Sequence, residues 1–82
     1  SLERPRQRRL ARLEALRSLD KDRILAYMEK YGGIEQFRNV DERVFWAGIH
    51  RARLTLTDFT EEEKGVSRKW LADNGFEVLG LQ

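Results

Sequence analysis

The sequence predicts a mostly α-helical fold, a small bundle of about four helices. Three observations predict it. Apolar residues recur at three- and four-residue spacing along most of the chain. Capping residues open these stretches and glycines or Asn-Gly close them. Alternation at period two is confined to residues 54–57 and, in part, to residues 76–81. A minor two-stranded β pairing of 54–57 with 77–81 is the one β element the pattern allows. At 82 residues the chain has the length of one domain. We divide it into a basic helical arm, 1–19, and a compact helical domain, 20–82. It starts on Ser1 rather than Met, as expected of a processed, trimmed or tagged chain.

The first helix is expected near residues 6–18. Leu10, Leu13, Leu16 and Leu19 stand among Arg4, Arg6, Arg8, Arg9, Arg12 and Arg17, and Pro5 suits a first turn. Leucines three apart drift around the cylinder, so this helix has no single clean apolar face. That pattern suits a docking or oligomerisation element. Ser18 or Asp20 is positioned to cap the second helix, 21–31, in which Ile24, Tyr27, Met28 and Tyr31 share a stripe. Gly32-Gly33 ends it. A single turn follows near 34–38, with Ile34 and Phe37 pointing inward.

Asn39 with Glu42 reads as a capping box for the third helix, 40–54. Val44, Phe45, Gly48, Ile49 and Ala52 form its expected core face. Thr60 with Glu63 reads as a second capping box, opening the fourth helix near 61–74. Val66 and Trp70 point inward there, and Asn74-Gly75 stops it so that Phe76 can fold back. The expected core is Ile24, Tyr27, Met28, Tyr31, Ile34, Phe37, Val44, Phe45, Ile49, Phe59, Val66, Trp70 and Phe76.

Charge is unevenly spread. Residues 1–23 carry eight Lys/Arg against four Asp/Glu, whereas residues 54–82 carry three against six. A basic head and an acidic tail suit pairing within the chain, head-to-tail stacking of copies, or a basic arm for nucleic acid. Cysteine is absent, so disulfides, Cys-based zinc sites and thiol catalysis are excluded. One histidine excludes a multi-histidine metal site. No stretch approaches the roughly 20 apolar residues of a membrane span. The expectation is a soluble, cytoplasmic protein without a membrane partner, a metal or a small-molecule cofactor.

Two surfaces are candidate binding sites. One is the arginine cluster Arg6, Arg8, Arg9 and Arg12. The other is a row on the third helix, away from its expected core face: Trp46, His50 and Arg53 at i, i+4 and i+7, with Arg43 one turn earlier. An aromatic ring, an imidazole and two guanidiniums in a row suit stacking on a base and holding a phosphate or carboxylate. The competing reading packs Trp46 on a neighbouring helix and pairs Arg43 and Arg53 with the acidic segment. A helix-turn-helix drawn over Tyr27–Arg53 fails on spacing, since the 34–38 element is too short for its first helix. Catalysis finds little support: Glu61, Glu62 and Glu63 are explained by the helix dipole and capping, and Ser67 reads as a small packing residue. The sequence therefore predicts a non-enzymatic protein-interaction or self-association module, with a protein partner or second copy. The alternative is a nucleic-acid-binding accessory protein using the basic segment and the Trp46/His50/Arg53 face.

Overall fold

The computed structural model describes residues 3–78. The fold is all-α, with four α-helices and one short 3-10 turn among the described residues and no strand among them. Helix α1 spans Glu3–Ser18, α2 Lys21–Tyr31, α3 Glu42–Thr55 and α4 Glu61–Asp73; the 3-10 turn is Ile34–Phe37. The chain divides between Asn39 and Val40 into two compact units. No described helix is long and apolar enough to cross a membrane.

The first unit is an antiparallel pair, α1 on α2, followed by the 3-10 turn. Its connection is two residues long because local hydrogen bonds tighten it. Ser18 Oγ donates to the Ala15 carbonyl at 2.6 Å and accepts from the Asp20 amide at 3.1 Å. Leu19 takes a left-handed φ of 52°, a conformation that costs a side-chain-bearing residue about 1 kcal/mol. Asp20 then caps α2, accepting from the Arg23 amide at 3.1 Å. Ile24 and Met28 of the predicted stripe are buried, and Tyr27, Tyr31, Ile34 and Phe37 are half-buried. Tyr27 and Tyr31 stack at 5.1 Å. Gly32 and Gly33 both adopt positive φ and end α2, as the glycine pair predicts. On α1, Leu13, Ala15 and Leu16 are buried. These leucines are inside the fold and do not form a free apolar stripe.

The second unit is an antiparallel hairpin, α3 on α4. The cap of α3 differs from the predicted one. Asp41, not Asn39, is the N-cap, accepting from the amides of Arg43 at 2.8 Å and Val44 at 3.4 Å. Asn39 instead adopts φ 63°, a conformation asparagine tolerates. At α4 the predicted capping box is present: Thr60 Oγ1 accepts from the Glu63 amide and Glu63 Oε1 accepts from the Thr60 amide. Phe59, just before it, is buried as expected.

Residues 54–57, whose alternation allows a short strand or an extended loop, form no strand. Leu54 and Thr55 close the last turn of α3, and Leu56 is a single extended residue at its cap. Leu54 is buried on the helix, so its apolar character belongs to the 3.6-residue period. Its expected partner, 77–81, has no strand at 77–78; residues 79–81 lie outside the described residues.

Helix α4 ends in a Schellman turn. The Phe76 amide donates to the Leu71 carbonyl at 2.8 Å and the Gly75 amide to the Ala72 carbonyl at 3.2 Å, with Gly75 at φ 81°. The turn brings Phe76 back onto Trp70, with ring centroids 6.0 Å apart. Ala47, Leu54 and Leu71 form the core of this hairpin, with Trp70, Phe76 and Val78 packed on it.

Two expected core residues are outside. Val44 is 49% and Val66 50% exposed. Ala47, His50 and Leu54 take the side of α3 that faces α4, while Ser67 and Leu71 take the facing side of α4. The buried arcs are turned away from the valines. Phe45 and Ile49 are buried as predicted, and Gly48 and Ala52 are half-buried.

Candidate binding surfaces

The α3 row is built inward, which corrects the outward placement. His50 and Arg53 are each only 3% exposed. They converge on Ser67 of α4, which is fully buried. Arg53 Nε donates to Ser67 Oγ at 2.8 Å and its Nη2 donates to the Glu63 carbonyl at 3.0 Å. Its guanidinium also lies over the Phe59 ring, 5.1 Å from the centroid. His50 Nδ1 is 2.9 Å from the same Ser67 Oγ, and the imidazole stacks on Trp70 at 4.8 Å. Burial, aided by the charge of Arg53, lowers the His50 pKa from 6.5 to about 4. The ring is therefore neutral at pH 7. Ser67 Oγ thus joins the Arg53 guanidinium to the imidazole.

A hydroxyl beside an imidazole is the pairing of a nucleophile with its base. Here the oxygen is out of reach of solvent and takes a guanidinium N–H, which draws electron density away from it. The group acts as a buried polar connector between two helices. Among the described residues no buried side-chain nitrogen or oxygen lacks a hydrogen-bond partner. No three His, Cys, Asp or Glu side chains among them gather as metal ligands would.

The rest of the row is also engaged. Trp46 is half-buried, donates from Nε1 to Glu42 Oε2 at 3.1 Å and sits edge-on to Phe45. Arg43 is exposed but clamps the end of α4. It donates from Nε to the Asn74 carbonyl at 3.0 Å and from Nη2 to the same oxygen, and lies 4.4 Å over the Phe76 ring. Arg51 approaches the same ring at 5.3 Å. His50, Arg53 and Arg43 thus hold α3 to α4 and to the Phe76 turn, while the contacts of Trp46 with Glu42, Phe45 and His50 stay within α3.

The arginine cluster is outside, as expected. Every residue from Glu3 to Leu10 is exposed, and so is Arg12. Arg8 has an internal role: its Nη2 donates to the Tyr31 carbonyl at 3.0 Å. That carbonyl belongs to the negative end of α2, so the guanidinium meets the helix dipole there. Arg6, Arg9 and Arg12 have no acidic partner among the described residues, and neither does Arg4, on the same exposed turns. At about 100° per residue, Arg4 and Arg12 lie near the line of Arg8, while Arg6 is about 160° from Arg4 across the helix. Cations therefore stand on opposite flanks of the same turns.

Sequence reasoning missed the role of Ser67. Its signal was its place four residues before Leu71, on a line that an amphipathic helix normally fills with apolar groups. A search against protein-family models, curated proteins and solved structures finds no match to this chain.

Proposed function

We propose that this chain is a non-enzymatic helical interaction module that docks through the amino-terminal half of α1. One observation carries the reading. The turns from Glu3 to Leu10 are exposed all round, and burial on α1 begins only beyond Leu10. A helix that is polar on all sides gains little from its own fold and is suited to contact something else. A protein partner or a second copy of this chain would use Leu10, which is 54% exposed, together with the charges around it. Nucleic acid would use Arg4, Arg6, Arg9 and Arg12, which have no acidic partner among the described residues.

The test is a shortened chain beginning at Ala11. It keeps Leu13, Ala15 and Leu16, so α1 retains its buried residues. It should stay helical by circular dichroism. It should lose the self-association or ligand binding that the full chain shows in sedimentation and titration. If the two chains behave identically in both, the docking role of α1 is wrong.

A further inference from the structure

We infer that the partner of the α1 docking element is a DNA duplex, gripped through its phosphates with α1 lying in the major groove. This rests on the reading of α1 as the docking element. Leu13 and Leu16 are buried, so the leucine stripe that a partner helix would need is reduced to Leu10. What remains outside is guanidinium. Arg4, Arg6, Arg9 and Arg12 are exposed and have no acidic partner among the described residues.

Their placement selects the partner. A flat acidic protein surface meets one flank of a helix. A groove meets both. Arg4 and Arg6 lie on nearly opposite flanks, with Arg9 and Arg12 between them around the circumference. A helix about 10–12 Å across fits the major groove, about 12 Å wide, and flanking arginines then face phosphates on both walls. Guanidinium suits that contact because it meets phosphate oxygens through two parallel N–H groups. The buried His50 and Arg53 add no base-reading face, so the grip is on backbone rather than sequence.

The experiment is a fluorescence-anisotropy titration of the full chain with a labelled DNA duplex, the matching single strand and polyglutamate, at about 50 and 200 mM salt. Four phosphate contacts give a log–log salt slope of about −3.6, so affinity for duplex should fall on the order of a hundredfold between the two salts. Changing Arg4, Arg6, Arg9 and Arg12 together to Gln should abolish binding while leaving the helical signal intact. Lys69→Gln, a charge change on α4, should leave binding unchanged.

Single changes test the groove. Arg4→Gln and Arg6→Gln should each flatten the slope by about 0.9. If one of the two is silent, docking is by one flank and the groove geometry is overturned. Tighter binding of the single strand than of the duplex overturns that geometry as well. Equal binding of polyglutamate would mean an acidic-protein site, overturning the nucleic-acid partner but not the docking role of α1. No duplex binding at the lower salt, or unchanged binding by the fourfold variant, overturns the inference outright. The docking reading itself stands or falls separately, on the chain that begins at Ala11.

Discussion

At Ser67 Oγ, two charged or titratable side chains of α3 meet one oxygen of α4. Burying a guanidinium is costly unless each N–H finds an acceptor. Ser67 and the Glu63 carbonyl supply two of these acceptors, and the Phe59 ring lies against the guanidinium. Ser67→Ala removes one acceptor without adding bulk, so it leaves Arg53 under-satisfied and His50 without its hydroxyl. We expect a loss of about 2–3 kcal/mol, read as a lower midpoint in urea unfolding. A change within about 0.5 kcal/mol would mean that water replaces the hydroxyl and that the connector is unimportant.

The same imidazole gives stability a pH dependence. Unfolded, it takes up a proton near pH 6.5; folded, near 4. Between those values the unfolded chain binds more protons, so stability rises with pH across the window. This contribution is complete above about 6.5 and is lost as pH falls through 4, with a full span of about 3 kcal/mol. Urea midpoints at pH 7, 5 and 4 should show the decline, and His50→Gln should flatten it. A wild-type profile as flat as that of the variant would show that His50 protonates without strain.

At the level of the helices, two glycines of the second unit should respond in opposite directions to the same substitution. Gly65 lies in the middle of α4, and a Cβ built there meets nothing within 4 Å. Gly65→Ala should therefore stabilise by about 0.5–1 kcal/mol through helix propensity and reduced freedom of the unfolded chain. Gly75 holds φ 81° in the Schellman turn, and its Cβ would stand 3.2 Å from Arg43 Nη2. Gly75→Ala should destabilise by about 1–2 kcal/mol, with loosening of the Phe76 turn. Thermal melts of the pair should move in opposite directions.

The helices were legible because their ends are chemically marked. Asp20, Thr60, Gly32-Gly33 and Asn74-Gly75 act within one turn of where they stand, so neighbours in sequence suffice to place them. The α3 cap was misplaced by two residues because Asn39 and Asp41 are both capping residues and Glu42 completes a box with the wrong one. The inward face of α3 was less legible, for a different reason. Periodicity assigns polar groups to water, yet His50 and Arg53 point inward because Ser67, fourteen or more residues away, supplies the acceptor. Nothing local to α3 announces that partner. Val44 and Val66 were drawn inward by the same assumption.

Across the whole molecule the charge divides by unit. Residues 1–39 carry ten Lys/Arg and six Asp/Glu, while residues 40–82 carry six and eight. The arginines also differ in accessibility. Arg53 is buried, and Arg43 is tied to the Asn74 carbonyl, whereas Arg4, Arg6 and Arg9 lie on turns of α1 without a buried residue. Turns with few buried contacts open most readily. Brief trypsin digestion followed by mass spectrometry should find the first cuts after Arg6 and Arg9, ahead of any cut after Arg53. A DNA duplex should slow those early cuts. Initial cleavage after Arg53 would contradict the burial at the α3–α4 contact.

Histidine is the side chain whose ordinary ionisation falls in the physiological range, and this chain has one. By lodging it between α3 and α4, the fold removes the only imidazole from the chain's dealings with its surroundings. Passage from a neutral to a mildly acidic compartment would then leave the arginine surface with the same charge it had before. An attachment made through α1 would answer to ionic strength and hold steady through such a change of acidity.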